Sequence, residues 1–414
     1  MSTTEKLTAD ERILLEKMLS GEISLRKIEE EADKDTSAKL RRSFLESKEK
    51  VSLDHISNYS FDTEAVAKKN IENLIGAVQI PLGIAGEIEI KGEYAKGSYY
   101  LPLATTEGAL VASVNRGCSI ITKSGGVTVR VFKNMMTRAP VFKFGSLEET
   151  KDFYDWIMLP ETFGKIKKAT DATSRFGELL EIQPFVSGNN VHLRLGFDTK
   201  DAMGMNMITI ASEAAAKVIA DEKGVPCVSL SGNMCTDKKP TAINAILGRG
   251  KTVIAEARLS GGFIRETLKC TAESMFDVNY RKNFIGSMRA GSLGFNAHAA
   301  NIVAAVFLAC GQDPAHVVEG SLCITEMDLT PEGDLVCSVT MPAVEVGTVG
   351  GGTSIATQQE CLKLLGVAGA GETPGENALA LSEIVAAAVL AGEVSLVAAQ
   401  AAGHLARAHA QLGR

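Results

Sequence analysis

Between residues 7 and about 70, apolar side chains recur at three- and four-residue spacing in a charge-dense background, with Ile13, Leu14, Met18 and Leu19 the clearest set. That period predicts a small helical N-terminal region. The pattern changes at "IGAVQIPLGIAGEIEIKGEYAKGSYYLPLATTEG", where Gly and Pro break short apolar runs, as strands joined by tight turns require. A helix is predicted over 107–117, then strand-like "SIITK" and "GVTVRVFK". From about 140 to 231 the chain alternates helix, strand, strand, helix ("MNMITIASEAAAKVIADEKG") and strand ("PCVSLSGN"), which predicts a compact α+β module inserted in a larger domain. Beyond 241 the chain is rich in Ala and Gly, and "AHAANIVAAVFLACG" and 376–411 predict helices. The fold class is therefore α+β: a helical N-terminal region over 1–72, a large mixed helical and sheet domain over 73–139 and 233–414, and a small α+β domain over 140–232.

Composition narrows the function classes. A chain of 414 residues with 45% hydrophobic and 22% charged content is an ordinary globular one. Its net charge of −7 argues against a nucleic-acid partner, since no excess of cations offsets a phosphate lattice. The eight cysteines are scattered without a CxxC pair, as expected of reduced cytoplasmic thiols and not of a disulfide framework or zinc site. The first residues are charged and lack the apolar stretch of a signal peptide. The nearest approach to a membrane span, "IVAAAVLAGEVSLVAAQAAG", carries Glu393 in its middle and reads as helix packed inside a protein, so no membrane partner is expected.

Short motifs each carry a bland reading beside a functional one. "AILGRGKT" resembles a phosphate-binding loop but has Ala245 where the first glycine belongs. "TVGGGTS" could bring backbone N–H groups to a phosphate, although a plain turn explains a Gly triplet as well. "DAMGMNM" reads as a helix start with Asp201 at the N-cap, either ordinary or facing a nucleotide through Gly204. "TSRF" could add Ser174 and Arg175 to a phosphate. Glu107 lies near a helix start, where dipole complementation alone would explain it. His298 and Asn301 share one face of an apolar helix, where a lone His is commonly a satisfied core residue. His404 and His409 are five apart, too far round a helix to share a metal, and with no HExxH no metal is expected. "SGNMCTDKKPTAIN" puts Asp237, Lys238 and Lys239 between segments that read as buried, which a solvated turn would explain.

Taken together, "ENLIG", "TTEGALVASVNRGC", "DAMGMNM", "SGNMCTDKKPTAIN", "FNAHAANIVAAVFLACGQD", "GTVGGGT" and "AAGHLARAH" resemble the 3-hydroxy-3-methylglutaryl-coenzyme A (HMG-CoA) reductase family, in the family's order and over residues 72–409. "DKK" and "DAMGMNM" look like its class I. The resemblance implies reduction of the HMG-CoA thioester through a hemithioacetal and an aldehyde to mevalonate, with two NADPH consumed, coenzyme A released and no metal. It implies Lys238 as the cation on the developing oxyanion and Glu107 as an acid tuned by burial. Asp313 would lie between those two, and His409 would donate a proton to the departing thiolate. It implies HMG contacts from Arg138, Ser231, Asp237, Lys239, Lys282 and Asn301, and coenzyme A contacts from Ser113, Asn115, Arg116 and His298. It further implies NADP(H) contacts from Ser174, Arg175, Asp201, Met203, Asn206, Gly350 and Gly351, with Arg175 on the 2′-phosphate. The small domain would be ferredoxin-like and hold the cofactor, and homodimers with shared sites, alone or paired into tetramers, would be the active form.

Three positions depart from the family's usual pattern: Lys200 stands for Gly, Glu87 for Pro, and Arg289 for a small or apolar residue, where a buried guanidinium would need a partner. The relatives' N-terminal membrane spans and inhibitory phosphoserine have no counterpart in this sequence, so a cytoplasmic enzyme without that control is expected. The rival readings are a non-catalytic acyl-CoA-binding or scaffold relative, and an ATP-using transferase resting on "AILGRGKT".

Overall fold

The computed structural model describes residues 7–403. Its N-terminal region contains α1 (Ala9–Ser20), α2 (Lys34–Glu49) and α3 (Thr63–Lys69). Thr8 and Glu11 form a reciprocal capping box at the start of α1, and Gly21 ends it in a left-handed conformation, φ 84°. Met18, Ile28 and Leu40 bury a small core, with Leu14 packed against it. Ile13 and Leu19 instead face outward, 54% and 48% exposed.

Strands β1 (Leu82–Lys91) and β2 (Lys96–Ala104) form an antiparallel pair, followed by α4 (Leu110–Lys123) and β3 (Val127–Arg138). The helix predicted over 107–117 therefore starts later and runs through "SIITK", which is not a strand. Ile120 and Ile121 are buried against the main core as part of α4's apolar face, so tertiary burial overrides the β preference of the isoleucines.

The inserted segment comprises β4 (Val141–Lys143), α5 (Leu147–Ile157), α6 (Pro160–Asp171), β5 (Glu178–Ser187), β6 (Asn190–Asp198), α7 (Met205–Lys223) and β7 (Cys227–Ser229). Its strands lie in the order β7-β4-β6-β5 with every neighbouring pair antiparallel, the ferredoxin-like arrangement. Phe142, Phe153, Leu193, Leu195, Phe197 and Ile208 close a core of its own. Helix α7 is capped by Gly204, φ 94°, and not by Asp201 as the sequence predicted.

After the short helix α8 (Ala242–Leu247) come β8 (Gly250–Leu259), β9 (Ile324–Leu329) and β10 (Leu335–Val344). These three strands supply the sheet expected of the large mixed domain, in a region where the sequence pattern had located only helices. Thr128–Met135 of β3 pair with β8, and Met136–Arg138 pair with β6, so one strand carries the sheet from the main core into the inserted one. "AILGRGKT" opens β8. Lys251 is fully buried there and donates to Val346 O at 2.8 Å, so it is not available to a phosphate.

Two helices line the main core: Ala299–Ala309 and the long Glu376–Ala401. The latter is long and apolar enough to cross a membrane, but 83% of its apolar stretch is buried within the protein. A helix apolar on all sides needs such an environment, and the surrounding core provides it.

Candidate active site

The segment "SGNMCTDKKPTAIN" links β7 to α8, where the chain returns from the inserted core to the main one. Asn233, Thr236 and Lys238 all adopt left-handed backbone conformations, with φ 61°, 51° and 58°. This winding turns Asp237 inward and leaves Lys238 and Lys239 exposed. Lys238 Nζ pairs with Asp313 Oδ2 at 2.8 Å, and that bond raises the lysine above its ordinary pKa. Asp313 follows the Ala299–Ala309 helix and caps the next turn by accepting from Ala315 N at 3.0 Å. Burial works to raise the Asp313 carboxyl, but the bonds from Lys238 and Ala315 hold it below the usual range.

Beneath Lys238 lies a buried charged cluster that the motifs did not disclose. Arg249, at the mouth of β8, reaches Glu345 at 2.6 Å, Asp237 at 3.2 Å and Glu319 at 3.5 Å. His316 Nε2 lies 3.0 Å from both Asp237 Oδ1 and Glu345 Oε2. The Lys238 backbone N–H donates to Glu319 Oε1. Burial, followed by the neighbouring Glu345, pushes Glu319 up to about 7. Burial opposes ionisation of Asp237 as well, but the His316 hydrogen bond and Arg249 hold it far below the usual carboxylate range. Asp237, His316, Glu319 and Glu345 bring their donor atoms within 4.8 Å of one another, close enough to hold a cation. Arg249 is already there as that cation. The only sequence signal was "AHVVEG", an ionisable pair three residues apart inside an apolar run.

A second pair forms elsewhere: Asn301 Nδ2 donates to Glu107 Oε1 at 3.2 Å. Glu107 is exposed, not buried as the resemblance implied. Nor does Asp313 lie between it and Lys238 within this chain. Asn301 lies in the first turn of the Ala299–Ala309 helix and Asp313 beyond its last, and the helix rises ~12 Å between Asn301 and Ala309. Among the described residues no hydrogen bond or ion pair joins Glu107–Asn301 to Lys238–Asp313.

The remaining positions fall into three groups. Around the Lys238 segment, Ser231 Oγ lies 3.7 Å from Cys235 Sγ, Lys239 Nζ donates to Asp237 O at 3.0 Å, and the buried Arg138 Nε has no hydrogen-bond partner among the described residues. Half-buried Lys282 donates to Asn283 Oδ1 at 2.9 Å, and burial lowers its pKa. Against the long helix, Ser113 and Arg116 both engage the Ser395 hydroxyl at 3.0 Å, Asn115 accepts from Gly86 N at 3.1 Å, and His298 Nε2 lies 2.9 Å from Gly392 O. In the third group, Ser174 accepts from Phe176 N at 3.1 Å. Arg175 is exposed beside the Phe176 ring, and Met203 is half-buried with Asn206 exposed. Gly350 and Gly351 have φ of 78° and 54°, and open space lies where side chains would point.

Asp201 departs from its expected place against a cofactor. It is buried, and its carboxylate accepts from Gly371 N at 3.2 Å, Gly375 N at 2.8 Å and Ala378 N at 3.1 Å, so it serves the first turn of the long helix. Lys200 takes a left-handed conformation, φ 52°, which accounts for Gly being the easier residue there, and pairs with Asp198. Arg289 is exposed, so it needs no buried partner. His404 and His409 lie outside the described residues.

A sequence profile described as hydroxymethylglutaryl-coenzyme A reductase matches residues 37–414. The chain belongs to that family. It is 53% identical to the 3-hydroxy-3-methylglutaryl-coenzyme A reductase of Pyrococcus abyssi over 97% of this chain and 99% of that one. Identity to the Haloferax volcanii reductase is 50%, over 98% of this chain and 100% of the relative. Among solved structures, the class II reductase of Streptococcus pneumoniae bound to NADPH aligns with TM-score 0.64, covering 96% of this chain and 98% of that one. Its sequence identity is 18%, so that likeness speaks for the shared fold of the family.

Proposed function

We propose that this member of the HMG-CoA reductase family reduces HMG-CoA to mevalonate and free coenzyme A with two NADPH and two protons, yielding two NADP⁺. The Lys238–Asp313 pair carries the reading. An ammonium held charged by a carboxylate at 2.8 Å, on an exposed turn, suits a cation for oxyanions at the thioester and aldehyde carbons. Bound NADPH supplies hydride at each stage. Arg175, exposed and without an ion pair among the described residues, and the open backbone at Gly350 and Gly351 fit its phosphates. Asp201 does not fit as a direct contact, because its carboxylate is spent on the long helix. The unpartnered Arg138 Nε and exposed Lys239 are assigned to the hydroxymethylglutaryl carboxylate, and Ser113, Asn115, Arg116 and His298 to coenzyme A. His409 is assigned the proton for the leaving thiolate, completing C–S cleavage. "DKK" and "DAMGMNM" favour class I.

Because Glu107–Asn301 and Lys238–Asp313 are separate within one chain, we assign a complete site to two copies, Glu107 of one facing Lys238 of the other. The inserted ferredoxin-like unit, residues 140–232, is assigned to the cofactor, and the cytoplasm is the proposed compartment. NADPH oxidation followed with and without HMG-CoA tests the activity. Lys238→Ala is expected to bind NADPH normally and lose at least ~100-fold in turnover, the scale set by removing one oxyanion donor. Substrate-independent oxidation only, or an unimpaired K238A, would sink this reading.

A further inference from the structure

The catalytic assignment of Lys238 leaves its backbone unexplained. A non-glycine residue at φ 58° is held in a region that L side chains disfavour, and two more residues of the same segment share the strain. Such a conformation persists only where the surroundings impose it. Here the surroundings are the buried cluster, none of whose members Arg249, His316, Glu319 and Glu345 has a role in the proposed reaction.

The contacts divide the work. Glu319 accepts the Lys238 N–H, the one peptide group immediately behind the ammonium. Arg249 and His316 hold the preceding Asp237 at 3.2 and 3.0 Å, and Glu345 holds both cations from below at 2.6 and 3.0 Å. Thus both residues flanking the Asp237–Lys238 peptide are tied to groups on other elements: β8, the turn after Asp313, and the segment following β10. The same turn supplies Asp313 to the Lys238 ammonium, so Glu319 and Asp313, six residues apart, grip the lysine at its backbone and at its tip. Two cations face three carboxylates in the cluster. A proton kept on Glu319 balances them, in line with burial raising that carboxyl to about 7, and its Oε1 can accept from the peptide in either state.

We propose that Glu319 is a positioning residue for Lys238, fixing the left-handed peptide from which the ammonium is presented, with His316 and Arg249 fixing Asp237 beside it. This rests on the assignment of Lys238 to the reaction.

Comparison of Glu319→Ala with Glu319→Gln tests it in the full-length enzyme. Glutamine keeps an acceptor for the Lys238 N–H, while alanine orphans a peptide group in the conformation that needs it. We expect E319A to lose about 10- to 100-fold in kcat per NADPH-binding site, with KM for NADPH within about 2-fold. E319Q should stay within about 3-fold of wild type. Backbone hydrogen exchange over residues 233–240 should accelerate in E319A and not in E319Q. A purely structural role would lower the melting temperature and the number of binding sites but leave kcat per site unchanged. An E319A enzyme with wild-type kcat per site overturns the proposal. So does an E319Q enzyme that loses about 10-fold or more in kcat per site relative to wild type, or one with lost exchange protection, and these two outcomes can be read even if E319A does not fold. Absence of HMG-CoA reduction by the wild type would instead refute the assigned activity, and exchange over 233–240 would still report on the Glu319 contact.

Discussion

Lys238 and Lys239 are adjacent, exposed and chemically alike, yet their surroundings separate them. Lys238 has Asp313 at its tip and Glu319 behind its peptide, whereas among the described residues Lys239 reaches only the Asp237 carbonyl. The buried acid beneath them has a consequence measurable without any substrate. Glu319 titrates near its ordinary 4.5 when unfolded and at about 7 when folded, because burial and Glu345 disfavour its charge while His316 and Arg249 only partly offset them. Its contribution to stability is therefore complete below about 4.5, is lost as pH rises toward 7, and levels off above that, on the order of 3 kcal/mol in all at ~1.4 kcal/mol per unit. In Glu319→Gln this slope disappears. Melting curves of both proteins between pH 5 and 8 should show the difference between variant and wild type moving in the variant's favour up to about pH 7 and levelling off beyond it. A constant difference would mean that Glu319 ionises normally in the folded protein.

The long helix shows how an element apolar on every side is given a single placement. Its two interior carboxylates are buried and receive backbone donors: Glu383 accepts from Glu93, Tyr94 and Ala95, and Glu393 from Ala297, His298 and the Thr325 hydroxyl. Each pins one loop to one level of the helix, since sliding by a turn would leave several donors and a charge unpaired. Asp201 does the same at the first turn from outside. Asp201→Ala should destabilise the protein by about 3 kcal/mol in urea unfolding, combining a lost cap with orphaned N–H groups, and Asp201→Asn by less. Should D201A weaken NADPH binding with stability unaltered, the carboxylate would face the cofactor after all. The sequence reading placed Asp201 at the cap of its own helix because Asp before an apolar run is the ordinary signal. Gly204 took that place, and Asp201 capped a helix that begins some 170 residues later.

For the whole molecule, the separation of Glu107 from Lys238 makes a direct prediction. If a site takes one from each copy, mixing inactive Glu107→Ala and Lys238→Ala subunits creates hetero-oligomers with some sites intact. Random pairing into dimers should then restore up to about one-quarter of wild-type activity. No recovery after verified subunit exchange would place both groups in a single chain's site. The helical N-terminal region, the alternation of the 140–231 insert and the family itself were legible in the sequence, because amphipathic periodicity and contiguous motifs are local properties. So was the pairing of Lys238 with Asp313, through the resemblance. The strands β8, β9 and β10 were not, although their buried positions alternate with more exposed ones, because these short runs stand in a stretch whose Ala-rich helices dominate its period. Nor were the exposure of Glu107, the service of Asp201 to a distant helix, or the cluster of Arg249, His316, Glu319 and Glu345. By itself, then, the sequence determined the fold class, the family and the chemical types on the Asp237–Lys239 turn. Only the tertiary structure decided which of those charges are buried, what each is paired with, and what holds Lys238 in its strained conformation. Burial and ion pairing depend on groups brought together from remote parts of the chain, and no local pattern records them.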